Sequence, residues 1–121
     1  MNQEKIKIGI MSTAEIAHKV CEAIQNSSNA IPYAVASRSL EKARGWADAH
    51  NIAIAYGSYD ELLADPNVDA IYIPLPTSLK KEWTIKAANH KKHVLVEKPL
   101  PGPDSDADIS EMIQACKVNN V

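Results

Sequence analysis

Apolar runs of four to seven residues recur along this chain, each separated from the next by a longer amphipathic stretch. That alternation limits the fold more than any other feature of the sequence. IKIGIM (Ile6–Met11), IPYAVAS (Ile31–Ser37), IAIAY (Ile52–Tyr56), DAIYI (Asp69–Ile73) and HVLV (His93–Val96) have the length and branching of buried strands. Between them, Ala14–Gln25, Ser39–His50, Ser58–Ala64 and Thr77–Asn89 carry apolar residues at helical spacing, and Asp104–Lys117 closes the chain the same way. The expected apolar stripes are Ile16, Val20, Ala23 and Ile24 in the first helix and Leu40, Ala43, Trp46 and Ala47 in the second. In the fourth they are Leu79, Trp83, Ala87 and Ala88. Ser12 with Glu15 and Ser58 with Glu61 read as capping boxes, and Thr77 reads as a cap for the fourth helix. Pro99–Pro103 is a turn-rich link, and the acidic run Asp104–Asp108 suits a helix N-terminus. Strand followed by helix, five times over, requires right-handed crossovers and a parallel sheet. The expectation is a three-layer α/β domain with spatial strand order 3-2-1-4-5.

The chain has no Phe, so its core must come from Ile, Val, Leu and Ala, which suits strands covered on both faces. Its 121 residues amount to one domain, and a net charge of -2 argues against nucleic acid or an anionic membrane as partner. No run is long enough to span a bilayer and no signal-peptide core is visible, so the sequence reads as cytoplasmic. Cys21 and Cys116 read as two buried, unpaired thiols. His18, His50, His90 and His93 show no zinc-like spacing and are not expected to cluster, so no metal site is expected.

In a sheet of this order, ligands bind beyond the carboxyl ends of the strands, where strands one and four diverge. The turn after the first strand places Ser12, Ala14 and Ala17 where a dinucleotide fingerprint has three glycines. Ala14 and Ala17 are small enough for backbone approach and helix packing. A positive φ at Ser12 would cost roughly 1–2 kcal/mol. Ser12, Thr13, Ala14, Glu15 and Ile16 are the candidate pyrophosphate-binding residues. A tight turn without ligand explains that turn equally well. After the second strand stands Ser37-Arg38-Ser39, with no acid to grip a ribose hydroxyl. Arg38, Ser37 and Lys42 suit a 2′-phosphate instead, which favours NADP over NAD. The alternative is a solvated Arg38 beside a capping Ser39.

Val96-Glu97-Lys98-Pro99 closes the fifth strand, after a fourth strand ending in Pro74-Leu75-Pro76-Thr77. With Gly9–Ala17, Val35–Ser39 and Tyr59–Leu63, this combination resembles the glucose–fructose oxidoreductase / inositol dehydrogenase / rhizopine-catabolism (Gfo/Idh/MocA) family over nearly the whole chain. The branch it is most similar to includes glucose–fructose oxidoreductase and the dihydrodiol dehydrogenases. The resemblance implies a Rossmann-type NAD(P)-binding domain over residues 1–121, with NADP preferred and NAD possible. It implies that Pro74, Leu75, Pro76 and Thr77 line the middle of the dinucleotide and that Glu97 and Lys98 border the nicotinamide. Lys98 is the implied catalytic residue, contacting substrate and assisting proton transfer. Partial desolvation would lower its pKa toward a useful value, and Pro99 would keep it extended.

Two departures stand out. Lys80 occupies a position where the family usually has histidine, and Lys91 one where glycine is common. The family's second, α+β domain, which shapes the substrate pocket and the homo-oligomer interface, is not in these residues, and the chain ends where a sixth strand would begin. The expected function is therefore the cofactor-binding half of an oxidoreductase. The intact protein would transfer hydride between NADP(H) and a sugar, polyol or related carbonyl compound. The 121 residues alone are expected to be inactive. The rival readings are a non-catalytic dinucleotide-binding sensor or regulatory module, and a ligand-free scaffold.

Overall fold

The computed structural model describes residues 4–98 and 106–121. Ten elements follow one another: β1 (Ile6–Met11), α1 (Glu15–Gln25), β2 (Ala30–Ala36), α2 (Leu40–Ala49), β3 (Ile54–Tyr56), α3 (Tyr59–Ala64), β4 (Ala70–Ile73), α4 (Thr77–Asn89), β5 (His93–Val96) and α5 (Asp106–Asn119). All four strand pairings are parallel, and the sheet runs β3-β2-β1-β4-β5. The expected α/β order is therefore the observed one. The turn-rich link at Pro99–Pro103 and the start of the last helix at Asp104 lie outside the described residues.

Each face of the sheet has its own apolar layer. On one, Ile10, Val35 and Tyr72 meet Ala17 and Cys21 of α1 and Trp46 and Ala47 of α2. On the other, Met11, Ala34, Ala36, Ile71 and Ile73 meet Leu62 and Leu63 of α3 and Ala87 of α4. Gly9 in β1 makes this second layer possible. A Cβ there would lie 2.9 Å from Leu62 Cδ1, 3.1 Å from Val68 Cγ1 and 3.2 Å from Ile71 Cδ1. Pro32 cannot donate a ladder hydrogen bond. It sits where the β1–β2 register slips by one residue, below the stretch of β2 that pairs with β3.

Several local expectations need correcting. The buried stripe of α1 is Ala17, Cys21 and Ile24, while Ile16 is exposed. In α4, the buried residues besides Ala87 and Ala88 are Lys80 and Thr84, and Leu79 and Trp83 are only partly buried. Leu40 of α2 is exposed. Ile52 belongs to no strand: its N–H bonds to Ala47 O at 2.8 Å and closes the end of α2. The Ser12/Glu15 box does not form, because Ala14 is the N-cap of α1 and makes no side-chain cap. Thr77 is not a cap either, since it is the first residue of α4 after the N-cap Pro76. Ser39 and Ser58 do cap, accepting from Lys42 N at 3.4 Å and Glu61 N at 3.2 Å. Cys21 is buried as expected, but Cys116 is only partly so. His18 and His50, expected to stand apart, touch: Nδ1 of the first lies 2.7 Å from Nε2 of the second.

Asp65, the C-cap of α3, ties this helix to its neighbours. Its carboxylate accepts from Tyr56 Oη at 2.7 Å and Asn67 N at 2.8 Å. Its carbonyl accepts from the buried Lys92 Nζ at 2.6 Å, and Lys92 also reaches Val68 O at 2.6 Å. The Asp65 bond, burial and nearby negative charge push the Tyr56 phenol up to about 12.

Candidate functional site

The parallel order carries the ends of β1, β2, β4 and β5 to one edge of the sheet, with β1 beside β4 at the switch point. At the end of β1, Ser12 turns the chain with φ 125°, the left-handed conformation that the glycine fingerprint anticipates. Two hydrogen bonds hold this turn. Ser12 N donates to Ala36 O at 2.9 Å, and Ser12 Oγ accepts from Ala14 N at 3.1 Å. Because Ala14 offers no side-chain acceptor to α1, no N-cap side chain satisfies the N–H groups of Glu15 and Ile16 in its first turn. Thr13 and Ala14 are partly exposed, and Ala17 is fully buried against the sheet.

Beyond β2, Ser37 is buried, its N–H bonded to Tyr56 O at 3.1 Å and its Oγ accepting from Ser39 N at 3.3 Å. The Ser37 hydroxyl also carries a proton that can be donated. Arg38 and Lys42 are exposed beside it. The end of β2 thus presents a hydroxyl and two cations.

Beyond β4, Pro74 and Leu75 are buried, Pro76 is exposed and Thr77 is partly exposed. Beyond β5, Glu97 N bonds to Ile73 O at 3.0 Å, which continues the β4–β5 ladder into the motif. The Glu97 carboxylate faces the protein: Oε2 accepts from Tyr72 Oη at 2.6 Å, and Oε1 accepts from Lys98 N at 3.3 Å. Burial and the Glu97 bond push the Tyr72 phenol up. Lys98 is exposed, so the burial expected around it is absent. The buried lysine of this edge is Lys80, only 2% exposed, in the first turns of α4. Burial lowers its pKa, and the Glu97 charge partly opposes that. Sequence reading noted Lys80 only as a departure and missed Tyr72. A lysine in an amphipathic helix ordinarily faces water, and a tyrosine in an all-apolar strand gives no sign of where its hydroxyl points.

The structure therefore gathers the candidate residues Ser12 to Ile16, Ser37, Arg38, Lys42, Pro74 to Thr77, Glu97 and Lys98 at one edge of the sheet. His18 and His50 are not among them: His18 is the fourth residue of α1, and His50 is the C-cap of α2. Among the described residues, no group of three or more His, Cys, Asp or Glu could hold a metal ion, and no helix is long and apolar enough to cross a membrane.

A family model described as the oxidoreductase family, NAD-binding Rossmann fold (GFO_IDH_MocA), matches residues 6–121. D-xylose 1-dehydrogenase (NADP(+)) 2 of Haloferax volcanii is 48% identical over 93 residues, 76% of this chain and 28% of that protein. The scyllo-inositol 2-dehydrogenase (NADP(+)) of Bacillus subtilis is 37% identical over 116 residues, 96% of this chain and 35% of that protein. Among solved structures, a 3-ketoreductase from Actinomadura kijaniata in complex with TDP-benzene and NADP superposes with a TM-score of 0.90 at 28% identity. That match covers 98% of this chain and 37% of the other. The chain thus spans about a third of the length of the relatives it matches.

Proposed function

Because the chain belongs to the Gfo/Idh/MocA oxidoreductase family, as its NAD-binding Rossmann domain, we propose that it is the NADP(H)-binding part of a dehydrogenase or reductase acting on a sugar, polyol or related carbonyl compound. The observation that carries this reading is the left-handed turn at Ser12 beside a β2 end furnished with Ser37, Arg38 and Lys42. The turn fits a pyrophosphate, since it brings backbone N–H groups to the switch point with only the methyl of Ala14 between. The end of β2 fits a 2′-phosphate, which Arg38 can grip by a bidentate contact and Ser37 by a hydroxyl donor.

When bound, the dinucleotide supplies hydride transfer. This chain's own residues bind, orient and handle the proton. Pro74 and Leu75 give the central region a rigid, buried wall. Glu97 is fastened inward and fixes the backbone from which Lys98 projects. The exposed Lys98 ammonium gives a proton to a substrate carbonyl oxygen in reduction and takes it back in oxidation. The substrate pocket needs the part of the relatives that this chain does not span, so the 121 residues alone bind dinucleotide and show no turnover.

Calorimetric titration of the chain with NADPH and NADH, at one fixed salt concentration, tests the cofactor reading. NADPH binds more tightly, and Arg38→Ala removes the difference while sparing NADH. Equal binding of both cofactors by the unaltered chain would overturn the 2′-phosphate assignment. Binding of neither would favour the ligand-free scaffold.

A further inference from the structure

The geometry points to a second site, outside the residues assigned to the dinucleotide: His18 and His50 form a two-imidazole seat for a divalent transition-metal ion, copper(II) before nickel(II) or zinc(II). The two residues are 32 positions apart: His18 is the fourth residue of α1 and His50 the C-cap of α2. Nδ1 of His18 and Nε2 of His50 face each other at 2.7 Å.

The hydrogen-bond pattern assigns the protons. His50 Nδ1 lies 2.9 Å from Trp46 O, which can only accept, so Nδ1 carries a proton and Nε2 is the nitrogen whose lone pair the neutral ring offers. A ring N–H given to a backbone carbonyl is the arrangement that orients metal-binding imidazoles elsewhere. The His50 ring is also stacked on Trp46, with centroids 3.8 Å apart and planes 18° from parallel. Its backbone carbonyl accepts from Gln25 Nε2 at 2.6 Å. One ligand is therefore preoriented. The second, His18, is exposed, so an ion has access and the ring has room to adjust.

At present one proton bridges the pair, donated by His18 Nδ1 to His50 Nε2. Metal binding replaces it. The bridging proton moves through solvent to His18 Nε2, and both facing nitrogens become donors to the ion. Imidazole–metal bonds of about 2.0–2.1 Å place two ligand nitrogens roughly 3 Å apart, a few tenths of an ångström beyond the present spacing. Among the described residues no third side chain joins them, so water completes the coordination and the site stays open. Two neutral nitrogens select copper, nickel and zinc over the oxygen-seeking magnesium and calcium, with copper first.

Trp46 is a built-in reporter because it stacks on one ligand. Trp83, the other tryptophan, lies against Tyr59 in the opposite layer and can be replaced by Phe. In the Trp83→Phe chain, copper(II) chloride and nickel(II) chloride quench Trp46 saturably with one ion per chain, and magnesium chloride does not. His18→Gln, a surface change that preserves the fold, weakens the apparent affinity at least tenfold. Electron paramagnetic resonance of the unaltered chain with one equivalent of copper(II) shows nitrogen hyperfine coupling from two imidazoles, falling to one in His18→Gln. Quenching with the same midpoint in His18→Gln, or a copper spectrum unchanged by it, would overturn the site. The contact would then be a hydrogen bond alone.

Discussion

Tyr72 and Glu97, at the ends of neighbouring strands, are joined by a 2.6 Å hydrogen bond that ties the Glu97-Lys98 motif to the middle of the sheet. Tyr72 is fully enclosed, so Tyr72→Phe keeps the ring and removes only the hydroxyl. A hydrogen bond to a charged group contributes about 1.5–3 kcal/mol, and a loss of that order is expected in urea unfolding near neutral pH. The sign with pH follows from linkage. Burial first, and the Glu97 bond second, raise the folded-state pKa of Tyr72 above the ordinary 10.0. Its contribution is therefore complete below that pH and is lost as pH climbs toward the folded value. The variant lacks this part of the alkaline loss. Equal alkaline slopes in both proteins would show that the hydroxyl is not held as described.

Ser12 pays for its φ of 125° with strain that glycine would not feel. Ser12→Gly relieves about 1–2 kcal/mol but gives up the Oγ bond to Ala14 N, worth about 1 kcal/mol. The net expectation is a gain of up to about 1 kcal/mol in stability. The freed Ala14 N–H should also tighten NADPH binding in titration. A variant that melts earlier would mean that the hydroxyl, not the backbone, governs this turn.

Gly9→Ala goes the other way. Its Cβ would fall 2.9 Å from Leu62 Cδ1 with Val68 and Ile71 close behind, and all three neighbours are buried. Overpacking of this kind costs about 1–3 kcal/mol. Denaturant midpoints should fall accordingly, and an unchanged midpoint would show that α3 can shift without penalty.

The strand–helix order was legible because short apolar runs and helical stripes differ in period, and because Ser39 and Ser58 mark helix starts with their own side chains. Two of the left-handed positions were legible too: Ser12 and Lys91 stand where glycine was expected, and both have positive φ, whereas Asn51 and Asn120, also at positive φ, were not singled out. What was missed depends on the third dimension. The His18–His50 contact bridges two helices, so no spacing along the chain announces it. Lys80 looks like a solvent-facing residue until the turn of α4 buries it beside the Glu97 charge. Ile52 carries strand propensity but is spent on ending α2.

Lys92 offers a pH test of opposite sign. It is 6% exposed, and its ammonium donates to Asp65 O and Val68 O, both at 2.6 Å. Burial lowers its pKa below 10.5, and the charges of Asp65 and Asp69 only partly restore it. The unfolded chain then binds the proton more tightly than the folded one. This residue's contribution to stability therefore rises as pH climbs from the folded value toward 10.5. Tyr56 and Tyr72 pull the other way only above 10.0 and the buried Cys21 thiol only above 9.0, so the Lys92 effect is read below pH 9.0. Lys92→Met removes its share of the rising limb and leaves the share of Lys80, whose pKa burial also lowers. Near neutral pH it also strands the Val68 carbonyl and leaves Asp65 O with only a 3.3 Å bond from Val68 N, at a cost of about 1–3 kcal/mol. Guanidinium unfolding of both proteins across the mildly alkaline range decides the matter. A variant as stable as the parent and with the same pH slope would mean that the buried ammonium contributes nothing to the fold.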